Sequence, residues 1–169
     1  MSLLTRERSL SFRLREGERV VVEKFGPLHR PETLLEWGSI TKTVTATLAH
    51  LLADQGVVDL SAPVTRYLPD ARLPQWVSVE SLITHTSGLP SMPSDLRLRD
   101  GEWRDPFAKY TPAYFDEVTV PRLSLEHTGR IGTRAYSNLG YAVLTRLLER
   151  AAGEAGGIWF ASTYWPRME

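Results

Sequence analysis

The fold is decided by the stretch GSITKTVTATLAHLLADQG, residues 38–56 of a chain of 169 residues. Its larger apolar side chains recur at helical spacing, at Ile40, Val44, Leu48, Leu51 and Leu52. Small alanines stand between them, and Gly56 follows at the place where a glycine commonly ends a helix. The sequence therefore predicts a helix over residues 39–55 with one face packed against a core.

Ser39 and Lys42 open this predicted helix, and their spacing puts both side chains on one helical face. A helix N-terminus presents unpaired backbone N–H groups and a positive dipole end, which favour a developing oxyanion. A neutral lysine amine one turn away could accept the serine proton and activate Ser39 as a nucleophile. No other S-x-x-K occurs in the sequence. The alternative interpretation is that Ser39 only caps the helix.

Tyr136-Ser137-Asn138 comes directly before a second helix, which an apolar stripe predicts over residues 139–152. The stripe consists of Val143, Leu144, Leu147, Leu148 and Ala151, with Arg146, Glu149 and Arg150 expected to face water. The phenol of Tyr136 could relay a proton, and the amide of Asn138 could hold a substrate carbonyl. The alternative is structural: Tyr136 packs and Asn138 caps the helix.

A third segment, His85-Thr86-Ser87-Gly88-Leu89-Pro90, contains a histidine and a serine. The chain has no G-x-S-x-G nucleophile elbow, which argues against a catalytic triad here. The remaining histidines, His29, His50 and His127, share no ligand-like spacing with it, so no metal site is expected. We interpret this segment as a structural turn.

The other segments complete an α+β order of elements. Residues 10–25 predict a β-hairpin with its turn at Glu16-Gly17. Short helices are predicted over residues 61–68 and 78–83. Residues 90–135 are rich in proline, glycine, arginine and aspartate, and they are predicted to be irregular.

The bulk composition excludes several classes of function. The formal net charge is zero, and the basic residues are dispersed, so neither a nucleic acid nor an anionic membrane is an expected partner. There is no cysteine for disulfides, thiol catalysis or thiolate metal sites, and no cofactor is expected. No stretch suits a membrane span, and the N-terminus lacks the apolar core of a signal peptide. The expectation is a cytoplasmic protein.

The three motifs occur together in an order that resembles the β-lactamase-related serine hydrolases, from about Leu10 to Gly153. This family includes class C β-lactamases, D-alanyl-D-alanine carboxypeptidases and related esterases. The resemblance implies a β-lactamase/transpeptidase-like fold and an acyl-enzyme on Ser39, with a β-lactam, a D-Ala-D-Ala peptide or a simple ester as substrate. It also implies that Lys42 and Tyr136 move the proton and that Asn138 orients substrate.

The chain departs from that family after its second long helix. The family's Lys-Thr-Gly or His-x-Gly motif on a C-terminal strand is missing there, as are the later strands of the sheet. We expect a partial domain over residues 1–156 and an atypical tail over 157–169, GIWFASTYWPRME. A shifted reading frame would give the tail a helical pattern, so we hypothesise a frameshift near Gly156. Four alternatives remain for the chain as a whole. It is an active enzyme, an enzyme whose site is completed by another chain, an inactive remnant, or a binding module without catalytic activity.

Overall fold

The computed structural model describes residues 10–34, 37–96, 107–127, 130 and 132–153. The chain divides into two compact units, Met1–Gly38 and Ser39–Glu169. The tail over residues 157–169 lies outside the described residues. The frameshift hypothesis therefore stays a prediction.

The first unit contains the predicted hairpin. Strands β1 (Phe12–Glu16) and β2 (Arg19–Lys24) pair antiparallel, with a register irregularity between Leu14 and Arg15. Gly17 begins the connecting turn with φ +58°, a left-handed conformation that glycine adopts without steric cost. The prediction for residues 10–25 is confirmed.

A 3₁₀ turn, Gly38–Ile40, spans the boundary between the units and runs into helix α1, Thr41–Asp54, of the second unit. The predicted helix over residues 39–55 is therefore present, but its first turn is 3₁₀ rather than α. Gly56 follows the helix with φ +71°, and its N–H binds the carbonyl of Ala53 at 2.9 Å.

Two short helical segments follow α1. The predicted helix over residues 61–68 is reduced to a 3₁₀ turn, Val64–Arg66, and a second 3₁₀ turn spans Pro69–Ala71. Helix α2 spans Val79–Ile83, as predicted, because the Ser78 hydroxyl accepts the N–H of Ser81 at 3.1 Å.

The prediction that residues 90–135 are irregular is wrong over residues 112–126, which form one helical run. Helix α3 (Pro112–Tyr114) leads through a π turn (Phe115–Thr119) into α4 (Val120–Glu126). Phe115, Val120 and Leu123 are buried. Pro121 obscured the pattern, because a proline clashes with the carbonyl four residues earlier in a regular α-helix. The wider π turn leaves room for its ring.

Helix α5, Asn138–Ala152, lies at the centre of the second unit and contacts α1 and α2. Its predicted apolar stripe is buried except for Ala151, which is partly buried. Also buried are Leu139 and residues from the preceding segments, including Leu68, Val79, Leu82, Leu89 and Leu123. Of the residues predicted to face water, Arg150 is exposed, but the side chains of Arg146 and Glu149 are only 24% and 16% exposed. The guanidinium of Arg146 pairs with the carboxylate of Asp116 on the π turn and with Glu149 at 2.8 Å. None of the helices among the described residues has the length and apolar character to cross a membrane.

Candidate active site

The side chains of Ser39, Lys42 and Tyr136 meet above the start of α1. The Ser39 hydroxyl and the Tyr136 hydroxyl are 2.6 Å apart, and the Lys42 ammonium donates to Ser39 Oγ at 3.3 Å. The α1 N-cap is Ile40, which makes no side-chain capping bond, so Ser39 does not cap that helix. A nucleophile candidate, a phenol and a cation thus share one site, although Tyr136 is 97 residues from Ser39.

Asn138 joins this group through Lys42, whose Nζ donates to Asn138 Oδ1 at 2.7 Å. The cap of α5 is Ser137 rather than Asn138, since Ser137 Oγ accepts the N–H of Gly140 at 2.7 Å. The Asn138 side chain is therefore available to the site, and the capping alternative for it is wrong. All four residues predicted from the sequence are brought together; their roles in a reaction stay predictions.

The turn after α2 fixes the start of α5 by backbone hydrogen bonds. Ser137 Oγ donates to the carbonyl of Pro90 at 2.6 Å. The N–H groups of Asn138 and Leu139 both donate to the carbonyl of Ser91, at 2.9 and 3.2 Å. These bonds satisfy donors that a helix start otherwise leaves unpaired. The segment from His85 to Pro90 is a structural turn, as predicted, and what it supports is the loop that carries Tyr136.

The electrostatics of the site favour the phenolate of Tyr136. Its pKa lies below the ordinary 10.0 because Lys42 and then Ser39 hydrogen-bond to the phenol, and the positive charge of Lys42 adds to this. The Lys42 ammonium lies 5.1 Å from the centroid of the Tyr136 ring. The phenolate, which is the form that can accept a proton, is therefore easier to form at Tyr136 than at an ordinary tyrosine.

Sequence reasoning missed two aromatic residues that surround these groups. Tyr141 lies one helical turn after Asn138, and its ring centroid is 5.6 Å from the Lys42 ammonium. Its hydroxyl donates to the carbonyl of Ile83 at 3.0 Å. The imidazole of His85 packs against both tyrosines, with ring centroids 4.7 Å from Tyr136 and 5.0 Å from Tyr141. The i, i+3 spacing of Asn138 and Tyr141 could have indicated the second tyrosine; no local signal indicated the histidine.

A second polar cluster surrounds Asp95, in the segment that continues from the turn. Its carboxylate accepts the hydroxyls of Tyr110 and Tyr114 at 2.7 and 2.6 Å and pairs with Lys109 at 3.1 Å. Burial raises the pKa of Asp95, but the hydrogen bonds from the two tyrosines and the lysine outweigh it and lower the pKa to about 2. Across the described residues, no three His, Asp or Glu side chains are grouped so as to hold a metal ion.

Comparisons with known proteins show the family to which the chain belongs. The Beta-lactamase family model matches residues 5–157. A β-lactamase of Providencia stuartii is 39% identical over 115 residues, covering 66% of this chain and 26% of that protein. The D-alanyl-D-alanine-carboxypeptidase/endopeptidase AmpH of Escherichia coli is 29% identical over 156 residues, covering 82% of this chain and 38% of that protein. The chain thus spans well under half the length of these curated relatives.

Solved structures show the same relationship. A class C β-lactamase of Rhodobacter sphaeroides matches with a TM-score of 0.54 at 28% identity, over 79% of this chain and 35% of its own. A β-lactamase/D-alanine carboxypeptidase of Yersinia pestis, complexed with citrate, matches with a TM-score of 0.59 at 26% identity, over 86% of this chain and 44% of its own. The predicted fold class is therefore confirmed. Since the family model covers most of its residues, the chain belongs to the β-lactamase family.

Proposed function

We propose that this chain carries the nucleophilic half of a serine hydrolase, which forms an acyl-enzyme on Ser39. The observation that carries the proposal is the contact of 2.6 Å between Ser39 Oγ and the hydroxyl of Tyr136, beside the ammonium of Lys42. A serine becomes a nucleophile when a base within hydrogen-bond reach takes its proton. The lowered pKa of Tyr136 supports the phenolate as that base.

In the proposed reaction, Ser39 Oγ attacks a carbonyl carbon while its proton passes to Tyr136. The tetrahedral intermediate then expels the amine or alcohol, which takes the proton back from Tyr136. Water afterwards attacks the ester formed with Ser39 and gives a proton to Tyr136; the bond to Ser39 Oγ breaks, Tyr136 returns that proton to Ser39, and the acid is released. Lys42 lies 5.1 Å from the centroid of the Tyr136 ring and lowers the pKa of the phenol, which supports a role as the cation that stabilises the phenolate. The positive end of the α1 dipole lies beside Ser39 and favours the oxyanion.

The substrate class in this proposal is an activated amide or ester. The names of the relatives include β-lactamase, D-alanyl-D-alanine carboxypeptidase and esterase, and these span cyclic amides, peptides and simple esters. Asn138 Oδ1 accepts from Lys42, while its Nδ2 has, among the residues that the structure describes, only a weak sulfur contact with Met92 at 3.9 Å. The amide N–H₂ is therefore the group that would donate to a substrate carbonyl.

The test is covalent labelling of the purified chain with a fluorophosphonate and with a fluorescent penicillin. Intact mass and peptide mapping should place one adduct on Ser39. The Ser39→Ala variant should lose it, and Ser124→Ala, at an exposed serine of α4, should keep it. Labelling that persists in Ser39→Ala would reject the nucleophile. A folded, unlabelled chain would instead favour a binding module, and an aggregated chain an inactive remnant.

A further inference from the structure

His85 is attached on both sides to the loop that carries Tyr136. Its carbonyl accepts the N–H of Ala135 at 2.8 Å, and its ring Nδ1 accepts the N–H of Ser137 at 3.1 Å. These two bonds hold the residues immediately before and after Tyr136. The backbone of His85 has φ +60°, a left-handed conformation that is uncommon for residues with a side chain.

The imidazole ring also limits where the phenol can lie. It contacts the rings of both Tyr136 and Tyr141, and Tyr141 is anchored through its hydroxyl to the carbonyl of Ile83. A Tyr136 side chain that turned away from Ser39 would have to leave this contact. The ring and the two backbone bonds therefore act on the same side chain.

We propose that neutral His85 is a positioning residue, which holds the Tyr136 hydroxyl within hydrogen-bond reach of Ser39 and releases it when the imidazole is protonated. This inference rests on the proposed function. His85 touches neither the nucleophile nor the substrate carbonyl; it acts through Tyr136.

The charge state of His85 follows from its partner. A backbone N–H can only donate, so Nδ1 must be the unprotonated nitrogen of the ring. If Nδ1 carried a proton, two donors, the Nδ1–H of His85 and the N–H of Ser137, would face each other and the hydrogen bond would be lost. The groups that face the ring are Lys42 on α1, Arg134 on the loop, and Tyr136 and Tyr141. Burial, then Lys42, then Arg134 lower the pKa of His85 from its ordinary 6.5.

The proposal predicts a particular pH dependence of Ser39 labelling. Protonation of the base alone makes the logarithm of the rate fall with unit slope toward acid. Protonation of His85 adds a second proton, so the slope should steepen toward two below the pKa of His85. That break lies below 6.5, and histidine titration by NMR locates it independently.

Two variants separate positioning from folding. Asn tolerates the left-handed backbone, and its Oδ1 can replace Nδ1 as the acceptor, but it does not titrate. We expect His85→Asn to retain most of the wild-type labelling rate. The logarithm of its rate should fall with unit slope at all acidic pH values. His85→Leu leaves the Ser137 N–H unpaired and should slow labelling about 10- to 100-fold. Arg72→Leu is the matched control, at another left-handed residue (φ +50°) outside the site.

The measurements are the labelling rate between pH 4 and 8 and the amide shift of Ser137, which should titrate with the His85 ring. The proposal would be overturned if the logarithm of the labelling rate of His85→Asn still steepened toward a slope of two at acidic pH. It would also be overturned if His85→Leu were labelled as fast as the wild type. If Ser39 is not labelled at any pH, the proposed function fails. The hydrogen bond between His85 and Ser137 is then tested by the amide shift of Ser137 alone. An amide shift that does not change as the imidazole titrates would refute it.

Discussion

Removing one oxygen from Tyr136 tests the proposed chemistry with little change to the fold. Tyr136→Phe keeps the ring, and so keeps its packing on His85 and its place near Lys42. It deletes only the hydroxyl that lies 2.6 Å from Ser39 Oγ. Any base that replaces it would have to be Lys42, which already donates to Ser39 and Asn138.

The structure sets different magnitudes for activity and for stability. Proton transfer by a positioned side chain contributes about 10²–10⁴-fold to a rate, which corresponds to about 3–5 kcal/mol of the barrier. Tyr136 is 49% exposed as a residue, so water can take the place of the lost hydroxyl. We therefore expect a change of less than about 1 kcal/mol in the free energy of unfolding.

The assay is the second-order rate of Ser39 labelling by a fluorophosphonate, measured beside urea unfolding. Tyr67→Phe is the matched control: its hydroxyl accepts the N–H of Asp59 at 2.8 Å, outside the site. We expect Tyr136→Phe to label at least about 100-fold more slowly and Tyr67→Phe to label normally. A Tyr136→Phe rate within about threefold of the wild type would refute the phenol as the base.

Three further substitutions test the packing that supports the site. Gly88→Ala should destabilise the chain by about 2–3 kcal/mol, because φ is +75° and a Cβ would lie 2.8 Å from His127 Nε2; urea unfolding measures this. The pKa of Asp95 is about 2 in the folded chain, against an ordinary value of 3.8. The ionised carboxylate therefore contributes fully to the free energy of unfolding above pH 3.8, and this contribution is lost as the pH falls through 2. Because the side chain is partly in contact with solvent, that contribution is limited to about 1–2 kcal/mol. An Asp95→Asn variant that loses as much stability at low pH as the wild type would contradict this expectation. Asp116→Ala should cost about 1–3 kcal/mol by thermal unfolding, since it leaves Arg146 half-buried without its main partner; an unchanged Tm would show that the pair is only a surface contact.

The long helices and the hairpin could be predicted because their signals are local. Apolar spacing located α1 and α5, and Ser78 marked the start of α2. The run over residues 112–126 could not be predicted, because its stability comes from the burial of Phe115 and Leu123 in a core that other segments supply. The ion pair of Arg146 was missed for a related reason: its partner, Asp116, is 30 residues away.

For the site, the sequence by itself determined which chemical groups are available and which of them are close neighbours. Helical geometry sets Lys42 one turn from Ser39, and the helix start fixes Asn138 next to Tyr136. Only the tertiary structure decided that the phenol of Tyr136 reaches Ser39 and that His85 packs against the phenol ring. Hydrogen bonds within one helix depend on neighbours in sequence, whereas these contacts depend on how the turn at residues 85–91 docks the start of α5. That docking is set by packing across the whole unit, which no local pattern records.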